Sequence, residues 1–317
     1  MMKPKVLLTD AIHPSVMPLL AEHCDVILAP DASPSTLARL VVSAEGLIVR
    51  NKLEPDLFEH ALKLRAVVRH GVGLDMIPVQ AATARGITVA NLPGSNTTAV
   101  VEYCLASMLQ LRRGLATIDA CIRRDGWAST RPLADRGTEL SGGVLGIVGV
   151  GAVGSRLAVV AMALGMNVLG LTRRQETLPV GVVAASKVEL FTRADIVVLA
   201  CPLNDATVGL VDAATLALMK PDAILINVSR GPVVDTEALI AALKQKRLGG
   251  AALDVHDRQP LVPTESVFSA PNLILTPHVA GITATSLLGM SNGAVVTMLS
   301  LLRGERPLNI VNPEVFR

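Results

Sequence analysis

The sequence predicts an α/β protein built from two doubly wound parallel sheets, each in its own domain. Short apolar runs alternate with longer helical patterns, this alternation occurs in two series, and 317 residues exceed the usual size of one core. Half of the residues are hydrophobic but only 2% are aromatic, so both cores must be aliphatic. The candidate buried strands lie at 6–10, 25–30, 46–50, 64–71 and 87–93 in the first series and at 144–150, 167–171, 195–200, 223–229, 250–255 and 273–276 in the second.

A helical segment begins near Asn96, between the two series, and leads into a Gly- and Arg-rich connection from Gly126 to Gly143. We expect the domain boundary and a hinge here, because the strand pattern stops before this region and resumes after it. The later stretch from Val279 to Leu302 is long and uncharged enough to span a bilayer. It is also rich in Ser, Thr, Gly and Asn, so we expect a loop followed by a buried helix.

Composition and charge argue against several functional classes. The formal net charge is +2 and the few aromatic residues are not interleaved with basic runs, so nucleic acid is not an expected partner. The four cysteines lie far apart without CxxC spacing, which predicts neither a metal site nor a disulfide framework. The first residues, MMKPKVLLTD, contain too short an apolar run for a signal peptide, so we expect a cytoplasmic protein with no membrane partner.

Reactive side chains follow almost every predicted strand. Open parallel sheets bind ligands outside the carboxyl ends of their strands, so these side chains are expected to share one edge. His278 is among them, which favours a role in a site over the alternative of a packed core residue. The segments after the strands are Arg50, HGVG at 70–73, GVGAVG at 149–154, TRR at 172–174, CP at 201–202, SRG at 229–231, DVHD at 254–257 and PHVAG at 277–281.

The glycine loop is the most specific of these segments. Gly149, Gly151 and Gly154 follow an apolar strand and precede the helical pattern SRLAVVAMALG, after which another strand is expected. This context suits a dinucleotide, because it allows a tight turn, a close approach of the backbone to a pyrophosphate and a helix N-terminus aimed at the phosphates. A purely structural glycine turn is the alternative.

The end of the next strand bears on the choice between NAD and NADP. NAD sites usually place an acidic residue there to bind the ribose 2′-hydroxyl. Here Thr172 takes that place, and Arg173 and Arg174 follow it. Two guanidinium groups can bind a 2′-phosphate, so we expect NADP(H) to be preferred, with NAD(H) and a solvated arginine pair as the alternative.

Ordered motifs run along almost the whole chain: HGVGLDMI, NTTAVVE at 96–102, GVGAVGSRLA, CPLNDAT at 201–207, INVSRGPVVD at 226–235, AALDV and LTPHVAG. In kind and spacing they resemble the motifs of the D-isomer-specific 2-hydroxyacid dehydrogenases. So many motifs in order are far more specific than one glycine loop.

The resemblance implies a domain organisation and a set of binding residues. Residues 96–285 would form a Rossmann NAD(P)-binding domain, which usually carries the interface of a homodimer. Residues 1–95 plus 286–317 would form a smaller, discontinuous, flavodoxin-like substrate or lid domain. The backbone amides of Val72 and Gly73 would hold the substrate carboxylate, and Asp254 would contact the nicotinamide carboxamide. The other residues expected to bind the cofactor are Ala152, Val153, Cys201, Pro202, Thr207, Val228, Ser229 and Gly281.

Reduction of a 2-keto acid requires two further groups. Negative charge develops on the carbonyl oxygen, so a fixed cation and a proton donor must lie close to it. Arg230 resembles the family arginine that spans carboxylate and carbonyl oxygen, and an arginine that only ties strands together is the alternative. His278 would be the general acid in reduction and the base in oxidation, since an imidazole titrates near neutrality. The expected activity is NADP(H)-linked hydride transfer to a small 2-keto acid, such as glyoxylate or hydroxypyruvate.

One position departs from the family pattern. The segment DVHDRQP carries Gln259 where relatives have a glutamate that pairs with the histidine. A glutamine can orient an imidazole but has no charge to stabilise the imidazolium, so we expect reduction to fade at a lower pH than in relatives with glutamate. Asp257 could replace the missing charge only if the loop is reshaped, because it lies two residues before Gln259.

The identity of the substrate and three other functions stay open. Arg50, Lys52 and Arg69 lie at or near predicted strand ends, from which they could meet a second anionic group. A phosphorylated, sulfonated or dicarboxylic substrate is therefore one alternative. The opposing interpretation is that Lys52 is solvated and does not contact the substrate. The Gln259 and His278 pair resembles that of formate dehydrogenases, which makes formate oxidation a second alternative. A non-catalytic, nucleotide-sensing corepressor of this fold is the third.

Overall fold

The computed structural model describes residues 3–315, which form two compact units. The terminal unit contains the residues up to Asn96 and from Ile282 onwards, and the central unit is Thr97–Gly281. The chain thus passes from the terminal unit to the central unit at the start of the expected boundary region. The Gly126–Gly143 connection lies inside the central unit. The chain returns to the terminal unit after Gly281, four residues before the expected boundary at residue 285. The last long helix and its N-cap, Thr283, both belong to the terminal unit.

All but one of the strands correspond to predicted apolar runs. The strands are β1 Lys5–Leu8, β2 Asp25–Leu28, β3 Gly46–Val49, β4 Ala66–Arg69, β5 Thr88–Ala90, β6 Val144–Val148, β7 Asn167–Leu171, β8 Val182–Ala184, β9 Ile196–Leu199, β10 Ile224–Asn227, β11 Gly250–Leu253 and β12 Leu273–Leu275. The helices are α1 Met17–His23, α2 Pro34–Val41, α3 Leu57–His60, α4 Val79–Ala84, α5 Thr97–Arg113, α6 Leu115–Asp125, α7 Trp127–Thr130, α8 Ala152–Ala163, α9 Lys187–Arg193, α10 Ala213–Leu218, α11 Thr236–Lys244 and α12 Ala284–Leu302.

The terminal unit has a five-stranded parallel sheet in the order β2-β1-β3-β4-β5, which is the flavodoxin-like order. Strands β1, β3, β4 and β5 are buried on both faces, and their successive side chains point to opposite sides of the sheet. In β1, for example, Val6 and Leu8 pack in the core under α1 and α12, whereas Leu7 packs in the core under α2, α3 and α4. Helices on both faces explain why these strands appear in the sequence as continuous apolar runs.

Helix α12 is long and apolar enough to cross a membrane by length and composition, yet it packs into this core. Ala294, Val295 and Met298 are fully buried against the sheet. Thr283 begins the helix with a capping box, in which its hydroxyl accepts from the amide of Ser286 at 3.0 Å and the Ser286 hydroxyl accepts from the amide of Thr283 at 2.8 Å. The expectation of a loop followed by a buried helix is confirmed.

The chain after α12 completes the terminal unit. Asn312 is 2% exposed, and its amide group reaches three partners from earlier in the chain. The Asn312 oxygen accepts from the amide of Val89 at 2.7 Å, and its nitrogen donates to the carbonyl of Ile87 at 2.9 Å and to the Thr83 hydroxyl at 2.8 Å. Residues near both ends of the sequence therefore share one core.

The central unit has a seven-stranded parallel sheet in the order β12-β11-β10-β9-β6-β7-β8. Counted from β6, this is the Rossmann order 3-2-1-4-5-6 with a seventh strand added. The seventh strand is β12, and β8 is the third strand of the Rossmann order. Strand β8, at the other edge of the sheet, was not predicted, because its three residues are half-buried or exposed and form no run of buried apolar positions. The direction of strand succession reverses between β6 and β9, and ligands bind outside the carboxyl ends of the strands at such a point.

Candidate functional site

The glycine loop between β6 and α8 has the geometry that a dinucleotide requires. Gly149 adopts φ 92°, and a Cβ on it would lie 2.6 Å from the backbone nitrogen of Cys201 in the neighbouring strand end. A Cβ on Gly154 would lie 2.3 Å from the carbonyl oxygen of Gly149, so α8 packs directly on the turn. Two of the three glycines are therefore required by close contacts.

Neither a close contact nor a positive φ requires a glycine at position 151, so this glycine is the one that bears on ligand binding. A Cβ built on Gly151 would have no atom within 4 Å. Gly151 is the N-cap residue of α8 and has no side chain. The helix thus begins without a side-chain cap, with Ala152 exposed and Val153 half-buried at its first turn. Backbone amides at an uncapped helix N-terminus beside open space fit the pyrophosphate of a dinucleotide.

The loop after β7 carries two exposed cations. The amide of Arg174 donates to the Thr172 hydroxyl at 3.3 Å, which turns the chain directly after the strand. Within residues 3–315, Arg173 and Arg174 are both exposed and neither guanidinium is held in an ion pair. The position where NAD sites usually place a carboxylate therefore offers a hydroxyl and two arginines instead.

The loops after β9 and β10 are joined by buried hydrogen bonds. The Ser229 hydroxyl donates to the carbonyl oxygen of Cys201, and burial raises the pKa of the Cys201 thiol, which makes it a packing group rather than a nucleophile. In the same loop the Thr207 hydroxyl donates to the carbonyl of Pro202 at 2.7 Å and accepts from the amide of Asn204 at 2.8 Å. The expected cofactor-binding residues Cys201, Ser229 and Thr207 thus also fix the shape of this edge.

Arg230 is presented by a clamp that the sequence reasoning missed. The fully buried side chain of Asn227, the last residue of β10, accepts from the amide of Ser229 and donates to the carbonyl of Arg230, both at 3.0 Å. A Cβ on the next residue, Gly231, would lie 2.1 Å from the backbone carbon of His256. The sequence signal for this clamp was an asparagine at the end of an otherwise apolar strand, followed by SRG.

His278 lies in a left-handed backbone conformation, with φ 57°, which is uncommon for a residue with a side chain. Such strain persists only where surrounding contacts determine it, and it costs about 1 kcal/mol or more. Here the amide of His278 donates to the carbonyl of Asp254 at 2.8 Å. The amides of Val279 and Ala280 donate to the two carboxylate oxygens of Asp254 at 2.7 and 2.8 Å. Asp254, only 2% exposed, therefore holds the turn that carries His278.

Further polar side chains converge on Thr276, directly before this turn. The Thr276 hydroxyl bonds to Asp254 at 2.7 Å and to the Tyr103 hydroxyl of α5 at 2.8 Å, while its carbonyl accepts from Nε2 of His256 at 2.9 Å. Tyr103 and His256 were not among the predicted site residues. His256 lies in the segment DVHD, which follows a predicted strand, so its position at the edge of the sheet was the available signal, whereas Tyr103 lies inside an apolar helix, a context that gave no pattern of a site.

The loop that carries Gln259 is occupied by other contacts. The side-chain amide of Gln259 donates to the carbonyl of His256 at 3.5 Å. Asp257 accepts from the hydroxyl of Thr236, at the start of α11, at 2.9 Å. That bond draws the Asp257 carboxylate toward α11, which argues against its serving as a substitute for the missing glutamate.

In the terminal unit, the predicted substrate residues lie on the loops after β3 and β4. Val72 is exposed and Gly73 half-buried. Arg69 braces this loop, because its guanidinium donates to the carbonyls of Val49 at 2.9 Å, His70 at 2.8 Å and Gly73 at 3.2 Å. Arg69 thus ties the end of β3 to the loop after β4, and these contacts argue against its role as a cation that meets a second anionic group.

The other two cations differ in their surroundings. The Arg50 guanidinium bonds to the carbonyl of Ala11 and lies 3.6 Å from the carboxylate of Asp10. Lys52 is exposed and lines a groove of about 350 Å³ between α2 and α3. The same groove is lined by Glu54 and Asp56, so its charge is mixed rather than positive.

Comparison with known proteins identifies the family. The model of the family described as "D-isomer specific 2-hydroxyacid dehydrogenase, NAD binding domain" matches residues 105–280. A glyoxylate reductase from Aeropyrum pernix is 34% identical over 329 aligned residues, which cover 100% of this chain and 98% of the relative. The chain belongs to the D-isomer-specific 2-hydroxyacid dehydrogenase family.

Other 2-hydroxyacid dehydrogenases are similar over the same length. A glyoxylate reductase from Thermococcus litoralis is 35% identical and aligns with 99% of this chain and 98% of its own. The structure of an NADPH-dependent glyoxylate/hydroxypyruvate reductase from Sinorhizobium meliloti, solved with NADP and malonate, superposes with a TM-score of 0.87 at 28% identity, over 99% of this chain and 98% of that one. The protein is therefore an oxidoreductase of the 2-hydroxyacid dehydrogenase fold, and the resemblance drawn from its motifs is confirmed.

Proposed function

We propose that this 2-hydroxyacid dehydrogenase reduces glyoxylate, hydroxypyruvate or a similarly small 2-keto acid, with NADPH preferred over NADH. The observation that carries the proposal is the convergence of three prepared groups at the carboxyl edge of one sheet. The uncapped N-terminus of α8, the clamped Arg230 and the strained turn of His278 follow β6, β10 and β12 of the central unit. Similar proteins named as glyoxylate reductases support the choice of substrate.

The residues of the chain have separable tasks in this reaction. The nicotinamide cofactor, when bound, supplies the hydride. Arg230 binds the substrate carboxylate and carbonyl oxygen together, and its positive charge stabilises the negative charge that develops on that oxygen. His278 donates the proton to the oxygen, and Gln259 orients the imidazole without adding charge. The backbone amides of Val72 and Gly73 bind the substrate carboxylate.

The preference for NADPH rests on the exposed pair Arg173 and Arg174. A bidentate contact from a guanidinium to the 2′-phosphate is worth about 1.5–3 kcal/mol, or roughly 10- to 100-fold in affinity. Replacing both with Ala should raise the KM for NADPH by that factor and leave the KM for NADH unchanged. The control is Arg247→Ala, since Arg247 is equally exposed but precedes β11, at the opposite edge of the sheet. Equal effects on both cofactors would refute the assignment.

Small monoanionic substrates are favoured over doubly charged ones by the surroundings of Lys52. Glu54 and Asp56 line the same groove, so a second anionic group would meet carboxylates as well as the ammonium group. The test is the initial rate of NADPH and NADH oxidation with glyoxylate, hydroxypyruvate and a panel of phosphorylated and dicarboxylic 2-keto acids, alongside the rate of NADP+ and NAD+ reduction with formate. Preference for a doubly charged acid would contradict the proposal, and cofactor reduction by formate without turnover of any 2-keto acid would replace it with formate oxidation.

We also propose that the protein is a cytoplasmic homodimer that associates through α6 and the segment after it. None of the residues of α6 is buried, and Leu115 and Trp127 are 59% and 74% exposed. The cysteines Cys24, Cys104, Cys121 and Cys201 are all free, as expected in a reducing compartment. Light scattering measures the mass, and dilution should red-shift the emission of Trp127, the one tryptophan in the sequence. A monomeric mass would refute the dimer.

A further inference from the structure

The hydroxyl of Tyr103 reaches the turn of His278 through a chain of hydrogen bonds. Tyr103 lies on α5, and its oxygen is 2.8 Å from the hydroxyl oxygen of Thr276. That hydroxyl is in turn 2.7 Å from Oδ1 of Asp254, which also accepts from the amide of Val279 at 2.7 Å. The chain thus runs from a helix, through a threonine, to the carboxylate that holds the turn.

The direction of these bonds follows from their chemistry. An ionised carboxylate can only accept, so the single hydroxyl hydrogen of Thr276 points to Asp254. Tyr103 must therefore be the donor to Thr276. Burial, and to a smaller extent the charge of Asp254, raise the pKa of Tyr103, so its hydroxyl keeps the hydrogen that this role requires.

Tyr103 is held in place by the packing of α5. Val100, Cys104 and Met108 of that helix are buried in the core of the central unit, and Cys104 and Met108 are fully buried. The helix therefore delivers the Tyr103 hydroxyl from a rigid support. Thr276, in contrast, lies just past the short edge strand β12, whose residues are only half-buried and gain less support from packing.

We propose that Tyr103 is a positioning residue, whose hydroxyl donates to Thr276 and thereby fixes Asp254 and the left-handed turn that presents His278. The inference rests on the proposed function in one respect, the role of His278 as proton donor. Tyr103 itself does not touch substrate or cofactor in this account. It acts on where His278 is held, and its loss should lower turnover while sparing cofactor binding.

The first test measures the turn itself in the ligand-free protein. In Tyr103→Phe, hydrogen exchange of the amides of His278, Val279 and Ala280 should accelerate roughly fivefold, the factor that corresponds to loss of one net hydrogen bond of about 1 kcal/mol. Thr276→Val should do the same and Thr276→Ser, which keeps the hydroxyl, should not. The matched control is Thr215→Val, because the Thr215 hydroxyl bonds to Asp212 at the same 2.7 Å, far along the chain at the start of α10.

The second test uses turnover. Tyr103→Phe should lower kcat for 2-keto acid reduction roughly fivefold, with the KM for NADPH within about twofold of the parent. The double variant Tyr103→Phe, Thr276→Val should lose no more than the larger single loss, because both changes break one chain of bonds.

Two results would overturn the role of Tyr103: unchanged exchange of the three amides in Tyr103→Phe, or single losses that add in the double variant. A parent protein without turnover of any 2-keto acid would instead contradict the proposed function. The exchange measurement needs no turnover, so it still decides whether Tyr103 fixes the turn.

Discussion

The buried imidazole of His70 is expected to make the terminal unit sensitive to mild acid. His70 is 4% exposed, and its Nε2 lies 2.8 Å from the hydroxyl oxygen of Ser291 on α12, which also accepts from the amide of His13 at 2.9 Å. Burial, followed by the positive charge of Arg50, lowers the pKa of His70 from its usual 6.5 to about 4. The folded unit therefore holds this imidazole neutral where an unfolded chain would protonate it.

The size and sign of the effect follow from proton linkage. Between pH 6.5 and about 4 the unfolded state binds a proton at His70 and the folded state does not, so stability falls as the pH falls. The difference between the two pKa values corresponds to about 3 kcal/mol at 1.36 kcal/mol per pH unit. The contribution of His70 to the free energy of unfolding is fully present above pH 6.5 and is lost as the pH falls to 4. It does not change further below pH 4.

The perturbation is His70→Gln, which removes the titrating group, and the assay is urea unfolding followed by far-UV circular dichroism from pH 7.5 to pH 4. Trp127 and Tyr103 both belong to the central unit, so their emission would report the wrong region. The parent should lose about 3 kcal/mol more than the variant over this range, because the carboxylates titrate in both and cancel. His60→Gln, which removes an exposed histidine of the same unit, should behave like the parent. Equal pH dependence in the parent and His70→Gln would refute the reasoning.

Three further predictions concern Gln259, Gly231 and Lys52. Gln259→Glu places a carboxylate where relatives have the glutamate that pairs with the histidine, so the alkaline limit of the reduction rate should move to higher pH; an unchanged pH profile would show that Gln259 does not act on His278. Gly231→Ala should destabilise the protein by about 2 kcal/mol or more in thermal unfolding, because its Cβ would meet the backbone of His256 at 2.1 Å. The control is Gly289→Ala, an exposed helical position with open space around it, which should stabilise the protein by about 0.5–1 kcal/mol. Lys52→Ala should leave the KM for glyoxylate within about twofold of the parent, and a large rise would place Lys52 in the substrate site.

The sequence predicted the repeating parts of this protein better than its connections. Buried parallel strands are visible as apolar runs, and the glycine loop is visible because its three glycines have a specific spacing between an apolar strand and a helical pattern. The edge strand β8 escaped prediction because neither of its faces is deeply buried. That α12 belongs with the N-terminal strands was expected from the family resemblance and not from the residues themselves, since it depends on contacts between residues far apart in sequence.

The candidate site was predicted in its reactive groups but not in what holds them. Arg230 and His278 are recognisable as types of residue in a motif, whereas the clamp of Asn227 and the bonds of Tyr103 depend on distances that a linear pattern does not contain. Arg69 illustrates the same limit. Its charge at a strand end suggested an anionic partner, but a linear pattern does not show that its guanidinium donates to the carbonyl of Val49 at the end of β3 and to those of His70 and Gly73 in the loop after β4.

The burial of Asn312 against residues 83–89 has a consequence for how the protein is made. The central unit, Thr97–Gly281, is contiguous and emerges from the ribosome before α12 and Asn312 are synthesised. Domains generally fold as units during synthesis, so the central unit can form its core first. Until the last helix arrives, one face of the sheet of β1 to β5 is covered by α1 but not by α12. During that interval the N-terminal segment is the part of the nascent chain most in need of a chaperone.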